Sequence, residues 1–230
     1  MRIAVAKEVL PGEHRVAITP SAVTRLTSQY EVWVESGAGA RAGFADELYA
    51  EAGATVIDDL VTLYEWSDIV LKVRRPIWRE PIDRHEGELV REGGTLIALL
   101  QPLTSPDLLL LLAQRNITSF ALELVPQTDA SQALDVRAHQ SALSGYRAAL
   151  LGAASDRFVP ALIGTTGPST VPNVLVIGAG AAGVQAIATM RRLGANVTAF
   201  DIRPELRAAV HALGATFVTL EVDNVHDRAG

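Results

Sequence analysis

The 230-residue chain contains no cysteine. Disulfides, thiolate nucleophiles and cysteine-ligated metals are therefore excluded, and a reducing compartment is compatible with the composition. There is no long basic run, and the formal net charge is −6. Both argue against a nucleic-acid partner. No apolar stretch approaches membrane-spanning length. The most apolar one, Leu108 to Leu112 in SPDLLLLLAQRN, is bounded by Asp107 and Arg115 and predicts a buried helix. The N-terminal MRIAVAKEV has charges too close to its apolar residues for a signal peptide and predicts a strand. The chain is expected to be soluble by itself, which leaves a membrane-bound partner open.

Apolar residues make up 49% of the chain, in keeping with strands buried on both faces of an α/β sheet. A strand–helix rhythm runs through the first 125 residues. Strands are expected at 2–6, 31–35, 55–57, 68–73, 95–100 and 117–122, with helices at 19–29, 46–52 and 105–115. Thr19 would cap the first helix, with Pro20 in its first turn. Such alternation predicts a mostly parallel sheet covered by helices. Gly53, Gly194 and Gly214 each stand where a helix would end in a left-handed cap before a strand. A helical pattern over 131–154 is long enough to bridge two domains, and GTTGPSTVP at 164–172 reads as a loop.

The segment 174–201, VLVIGAGAAGVQAIATMRRLGANVTAFD, carries the strongest chemical signal. An apolar strand (174–177) leads into Gly178, Gly180 and Gly183, spaced G-x-G-x-x-G. A periodic helix and a second strand (196–200) follow, closing on Asp201 about 20 residues after the glycines. The first glycine permits a tight turn, the second lets backbone approach a pyrophosphate, and the third packs helix on strand. The helix start offers free N–H groups and a positive dipole end, and Ala181, between the second and third glycines, is expected to bind cofactor as well. An acid at position 201 is suited to ribose hydroxyls and repels a 2′-phosphate. NAD(H) is therefore expected over NADP(H), although Arg203 lies two residues further on. After Asp201 one helix (204–213) and one strand (216–222) remain before a polar tail. The expectation is the first half of a doubly wound Rossmann domain, with the second half on another chain or missing from a fragment. A half-domain of this kind should expose a sheet edge and apolar surface.

ESGAGARAG at 35–43 also looks phosphate-binding, but its spacing is G-x-G-x-x-x-G and no long helix follows. It is read as a structural loop. The expected organisation is an N-terminal flavodoxin/Rossmann-like parallel α/β domain (1–130), an interdomain helix and linker (131–165), and an incomplete Rossmann domain (166–230). The ligand is expected between the two lobes.

Taken in order, RIAVAKE, EHRVAITP, VESGAG, DIVLKV, SQALD, SGYRA, IGAGAAG and AFDIRPE span essentially the whole chain. With these blocks the sequence resembles the NAD(H)-binding component of proton-translocating nicotinamide nucleotide transhydrogenase, a family shared with alanine dehydrogenase. The resemblance implies direct hydride transfer from NADH to NADP+ on a partner domain. No acid or base is needed there, so a missing catalytic histidine or cysteine is expected. It implies that Gln132 and Asp135 contact the nicotinamide, with Gln127 and Ala138 standing where the family has arginine and serine. The adenosine end would lie on Gly178 to Gly183 and on Asp201, Ile202 and Arg203. It further implies an NADP(H)-binding domain and a membrane-embedded proton-channel subunit as partners. A homodimer is implied too, as is a cytoplasmic place peripheral to the membrane. No metal is called for.

Alanine dehydrogenase is the sister reading. The resemblance would then put a substrate carboxylate on Arg15 and Lys72, or these residues pair with carboxylates of the chain itself. That enzyme's acid–base histidine is replaced here by Gln101, which exchanges no proton near neutral pH. His14, His85, His139, His211 and His226 match no such role and read as surface residues. A third reading is a truncated, non-catalytic NAD-binding remnant.

Overall fold

The computed structural model describes residues 1–126, 134–155, 158 and 171–219. The chain divides into two compact units, Met1–Asp135 and Val136–Gly230.

The first unit runs β1 (Arg2–Val5), α1 (Pro20–Leu26), β2 (Glu31–Glu35), α2 (Asp46–Glu51), β3 (Thr55–Ile57), α3 (Leu60–Glu65), β4 (Ile69–Arg74), β5 (Trp78–Arg79), β6 (Arg84–His85), α4 (Glu86–Leu89), β7 (Thr95–Leu99), α5 (Pro106–Gln114) and β8 (Thr118–Ala121). Six of these strands form one sheet in the order β3-β2-β1-β4-β7-β8. Every neighbouring pair is parallel, as the alternation predicts. The order reverses between β1 and β4, so their carboxyl ends flank a topological switch point. Alternating side chains of β1 feed both faces. Ala4 joins Leu63, Tyr64, Val70, Leu89 and Leu96 on one side, while Val5 joins Val23, Val32, Val34 and Tyr49 on the other.

Several local expectations change. Helix α5 is buried on one face only. Leu108 and Leu112 pack inward, whereas Leu110 is 59% exposed, because five consecutive leucines cannot share one face of a 3.6-residue period. Thr19 occupies the N-cap of α1 but makes no capping bond; its hydroxyl lies 3.0 Å from Ser21 Oγ. Helix α3, capped by Asp59, and the short β5–β6 hairpin had no sequence expectation.

The second unit comprises α6 (Val136–Ala153), β9 (Asn173–Ile177), α7 (Ala181–Arg192), β10 (Asn196–Phe200), α8 (Arg207–Ala212) and β11 (Thr216–Val218). The strands are parallel in the order β11-β10-β9, the βαβαβ arrangement expected of a first Rossmann half. The helical pattern expected over 131–154 begins at Val136 in α6, and α6 clusters with this unit; positions 131–133 lie outside the described residues. Strand β9 departs from the buried strand that its apolar run predicts. Among the described strands it is paired on one edge only, and the face that carries Leu175 (62% exposed) and Ile177 (77% exposed) is left uncovered by the described residues. Most of the loop expected at 164–172, and the chain from 220 onward, lie outside the described residues.

Candidate dinucleotide site and the polar cluster of the first unit

The carboxyl end of β9 turns sharply at Gly178, whose φ of +95° is left-handed. The Gly178 N–H donates to the Phe200 carbonyl at 2.7 Å, tying the turn to β10. Gly180 is the extended N-cap of α7, and no acidic residue occupies the first turn of that helix. A methyl group on Gly183 would overlap the Gly178 carbonyl oxygen, so the third glycine permits the helix to press against the strand end. The backbone is thus shaped for a phosphate at the helix N-terminus.

Asp201 closes the arrangement from the end of β10. Its Oδ2 accepts from the Ala179 N–H at 2.7 Å and from Arg203 Nη2 at 3.2 Å. Its Oδ1 accepts from the Arg203 N–H at 2.9 Å and Nε at 3.1 Å. The Arg203 guanidinium, followed by the two backbone donors, holds the Asp201 carboxyl well below the usual carboxylate range. Gly178, Gly180, Ala181, Gly183, Asp201 and Arg203 therefore gather around one turn. Ile202 is 72% exposed beside them. Asp135 is buried and belongs to the first unit, whereas Gln127 and Gln132 lie outside the described residues.

A cavity of about 540 Å³ opens beside the turn, walled by Gly178, Gly180 and Ala181 and by Ser141, Ser144 and Ala148 of α6. These α6 positions had no functional expectation. Their spacing of three and four residues was the available signal, since it aligns small side chains on one helix face. Gly145 lies on that face, and a methyl there would overlap the Ala182 carbonyl oxygen, so α6 and α7 cross in backbone contact.

The ESGAGARAG loop is structural, as expected. Asp46 fills its anion position, accepting from Gly37 N at 2.9 Å and Ser36 Oγ at 2.9 Å. Gly39 is pressed against Tyr49 and Phe44.

At the carboxyl ends of β1 and β4 lies a buried polar cluster. Lys72 Nζ is 3.0 Å from Glu86 Oε1 and 3.7 Å from Glu8 Oε2. Arg79 pairs with Glu35 and, at 3.1 Å, with Glu86. Glu13 is held by Arg15 at 2.6 Å and Arg74 at 2.7 Å. Burial raises the Glu8 carboxyl pKa against the pull of Lys72. The hydrogen bond from Arg15, aided by Arg74, lowers that of Glu13 to about 2. Both cations expected to hold a substrate carboxylate thus have carboxylate partners within the chain. Gln101 lies at the end of β7 with φ +54°, its N–H and that of Leu100 bonded to the Glu123 carboxylate. Of the histidines, His14, His139 and His211 are exposed and His226 lies outside the described residues. His85 is a half-buried cap, its Nδ1 accepting from the Gly87 N–H at 3.1 Å, and burial lowers its pKa.

The two-unit architecture has counterparts among known proteins. The alanine dehydrogenase/PNT N-terminal domain family matches residues 4–144, and its C-terminal domain family matches residues 149–228. The chain belongs to the alanine dehydrogenase/PNT family. Within that family it is 38% identical to NAD(P) transhydrogenase subunit alpha of Cereibacter sphaeroides, over 100% of this chain and 43% of the relative. It is 32% identical to alanine dehydrogenase of Bacillus subtilis, over 89% of this chain and 53% of that enzyme. The crystal structure of transhydrogenase from Sinorhizobium meliloti superposes with a TM-score of 0.87 at 37% identity, covering 96% of this chain and 62% of that one. The chain thus spans between 43% and 62% of the length of these relatives. No helix among the described residues is long and apolar enough to cross a membrane.

Proposed function

We propose that the chain is the NAD(H)-binding component of a proton-translocating nicotinamide nucleotide transhydrogenase. The glycine turn braced on Asp201 carries this reading. Gly178 and Gly183 let the backbone of the turn and the first N–H groups of α7 meet a pyrophosphate, while Asp201 offers its carboxylate to the adenosine ribose. Gln132 and Asp135 orient the nicotinamide, and Gln127 and Ala138 replace a cationic and a hydroxyl contact made in the family. When bound, NADH supplies the hydride, which passes to NADP+ on a partner domain. The residues of this chain bind, orient and exclude water, and none has to move a proton. The partners are an NADP(H)-binding domain, a membrane-embedded proton channel and a second copy of the chain. With those partners the protein works at the cytoplasmic face of the membrane.

The polar cluster supports this reading over alanine dehydrogenase chemistry. Lys72 is buried between two carboxylates, Arg15 is paired with Glu13, and Gln101 cannot serve as an acid or base. NADH-dependent reduction of a thionicotinamide NADP analogue, measured with the partner subunits and a chain extended to the length of its relatives, is the deciding assay. Turnover there, with no NADH oxidation on pyruvate and ammonia, is expected. The opposite pattern would replace the proposal by the alanine dehydrogenase reading, and activity in neither assay would leave a non-catalytic NAD-binding remnant.

A further inference from the structure

A carboxylate offers about four lone-pair directions, two on each oxygen. At Asp201 all four are taken. Oδ1 accepts from the Arg203 backbone N–H and from Nε, and Oδ2 from the Ala179 N–H and Arg203 Nη2. The Ala179 N–H belongs to the glycine turn and the Arg203 N–H to the chain just past β10, and neither can leave without unmaking the local backbone. The other two belong to a side chain that is 52% exposed and free to move into solvent. The same Nη2 lies 3.4 Å from where a Cβ on Gly180 would stand, so the guanidinium rests alongside the second glycine. It covers the approach to the turn.

We infer that Arg203 sets the nucleotide specificity of this turn by occupying the acceptor sites on Asp201 that the adenosine ribose needs. This inference rests on the dinucleotide reading. Ribose hydroxyls gain Asp201 only by displacing Nε and Nη2, so the arginine competes with NAD(H). Once displaced, the guanidinium stays tethered beside the 2′ position, where its fork suits a phosphate. An acid at this place would on its own repel a 2′-phosphate. Arg203 offsets that repulsion, and the chain discriminates less sharply against 2′-phosphorylated nucleotides than Asp201 alone would dictate.

The test is calorimetric titration of the full chain with NADH, 5′-AMP and 2′,5′-ADP, comparing wild type with Arg203→Ala and Arg203→Lys. The alanine variant should bind NADH and AMP about two- to fivefold more tightly, the range of an exposed ion pair that no longer has to be broken. It should bind 2′,5′-ADP more weakly than wild type. Lysine keeps the charge without the two-pronged grip, so Arg203→Lys should tighten NADH while retaining part of the affinity for the 2′-phosphate. An unchanged ratio of AMP to 2′,5′-ADP affinity in both variants, or weaker NADH binding in Arg203→Ala, overturns the inference while the dinucleotide reading stands. Wild-type chain that binds none of the three overturns the dinucleotide reading itself.

Discussion

Lys72 and Glu86 form an ion pair of 3.0 Å with side chains 1% and 0% exposed, beneath the switch point of the first sheet. Removing one partner of such a pair leaves a desolvated charge, at a cost of about 3–5 kcal/mol. Lys72→Met should therefore lower the stability of the chain by about 3 kcal/mol in urea unfolding with an unchanged slope. Glu8 also loses its cation in this variant, and burial already disfavours its charge. Adding Glu8→Gln to Lys72→Met should restore part of the loss. A single variant as stable as wild type would mean that the cluster is hydrated and could still accept a substrate carboxylate.

Glu13 makes the same cluster acid-labile. Its folded pKa of about 2 lies below the ordinary 4.5, so the unfolded chain binds the extra proton between those values. The stability it contributes is complete above pH 4.5 and is lost as the pH falls toward 2. Glu8 has the opposite sign. Its raised pKa means that stability falls as pH rises from 4.5 through its folded value. Glu13→Gln should flatten the acid limb of a stability–pH profile. An acid limb as steep as that of wild type would show that Arg15 and Arg74 exert no net hold on Glu13.

Both the parallel sheet and the glycine turn were legible in the sequence because each rests on local periodicity. Strands 31–35, 55–57 and 196–200 begin and end where the apolar pattern does. Helix α3 was not legible: at six residues it is no shorter than α2 or α8, but it lacks the closing glycine that marked their ends, and the hairpin of two-residue strands is too short to show a period. A half-domain was expected to expose a sheet edge and apolar surface, but which residues of β9 would be exposed was not legible. Val174 to Ile177 has the composition of a central strand, and composition does not say what covers each face. Within the site, the spacing placed Asp201 correctly beside the turn. It was silent on Arg203 filling that carboxylate, a contact that depends on side-chain direction after the strand ends.

Gln101 holds a left-handed backbone that costs a residue with a Cβ about 1–2 kcal/mol. Two N–H groups on the Glu123 carboxylate and a Thr104 N–H on the Gln101 carbonyl at 3.0 Å hold it there. Gln101→Val should destabilise the chain by at least about 1 kcal/mol, because β-branched residues tolerate this region worst. Gln101→Gly should be neutral or stabilising. Thermal melts of the two variants separate them, and equal shifts would remove backbone strain as the explanation.

Two glycines of the second unit mark places where backbone touches backbone, and they should fail differently. A methyl on Gly145 meets the Ala182 carbonyl oxygen and pushes α6 from α7, while the turn itself stays tied through Gly178 to Phe200. A methyl on Gly183 meets the Gly178 carbonyl oxygen and forces the turn open. Both substitutions should cost about 1–3 kcal/mol, the usual penalty of overpacking. Gly183→Ala should in addition abolish the binding of 5′-AMP, since the phosphate-facing N–H groups lose their geometry. Gly145→Ala should keep that binding and weaken only ligands long enough to reach the wall formed by Ser141 and Ser144. Nucleotide titration at a temperature where both variants remain folded distinguishes these outcomes. Full AMP affinity in Gly183→Ala would show that the close approach of α7 to β9 is dispensable for holding a phosphate.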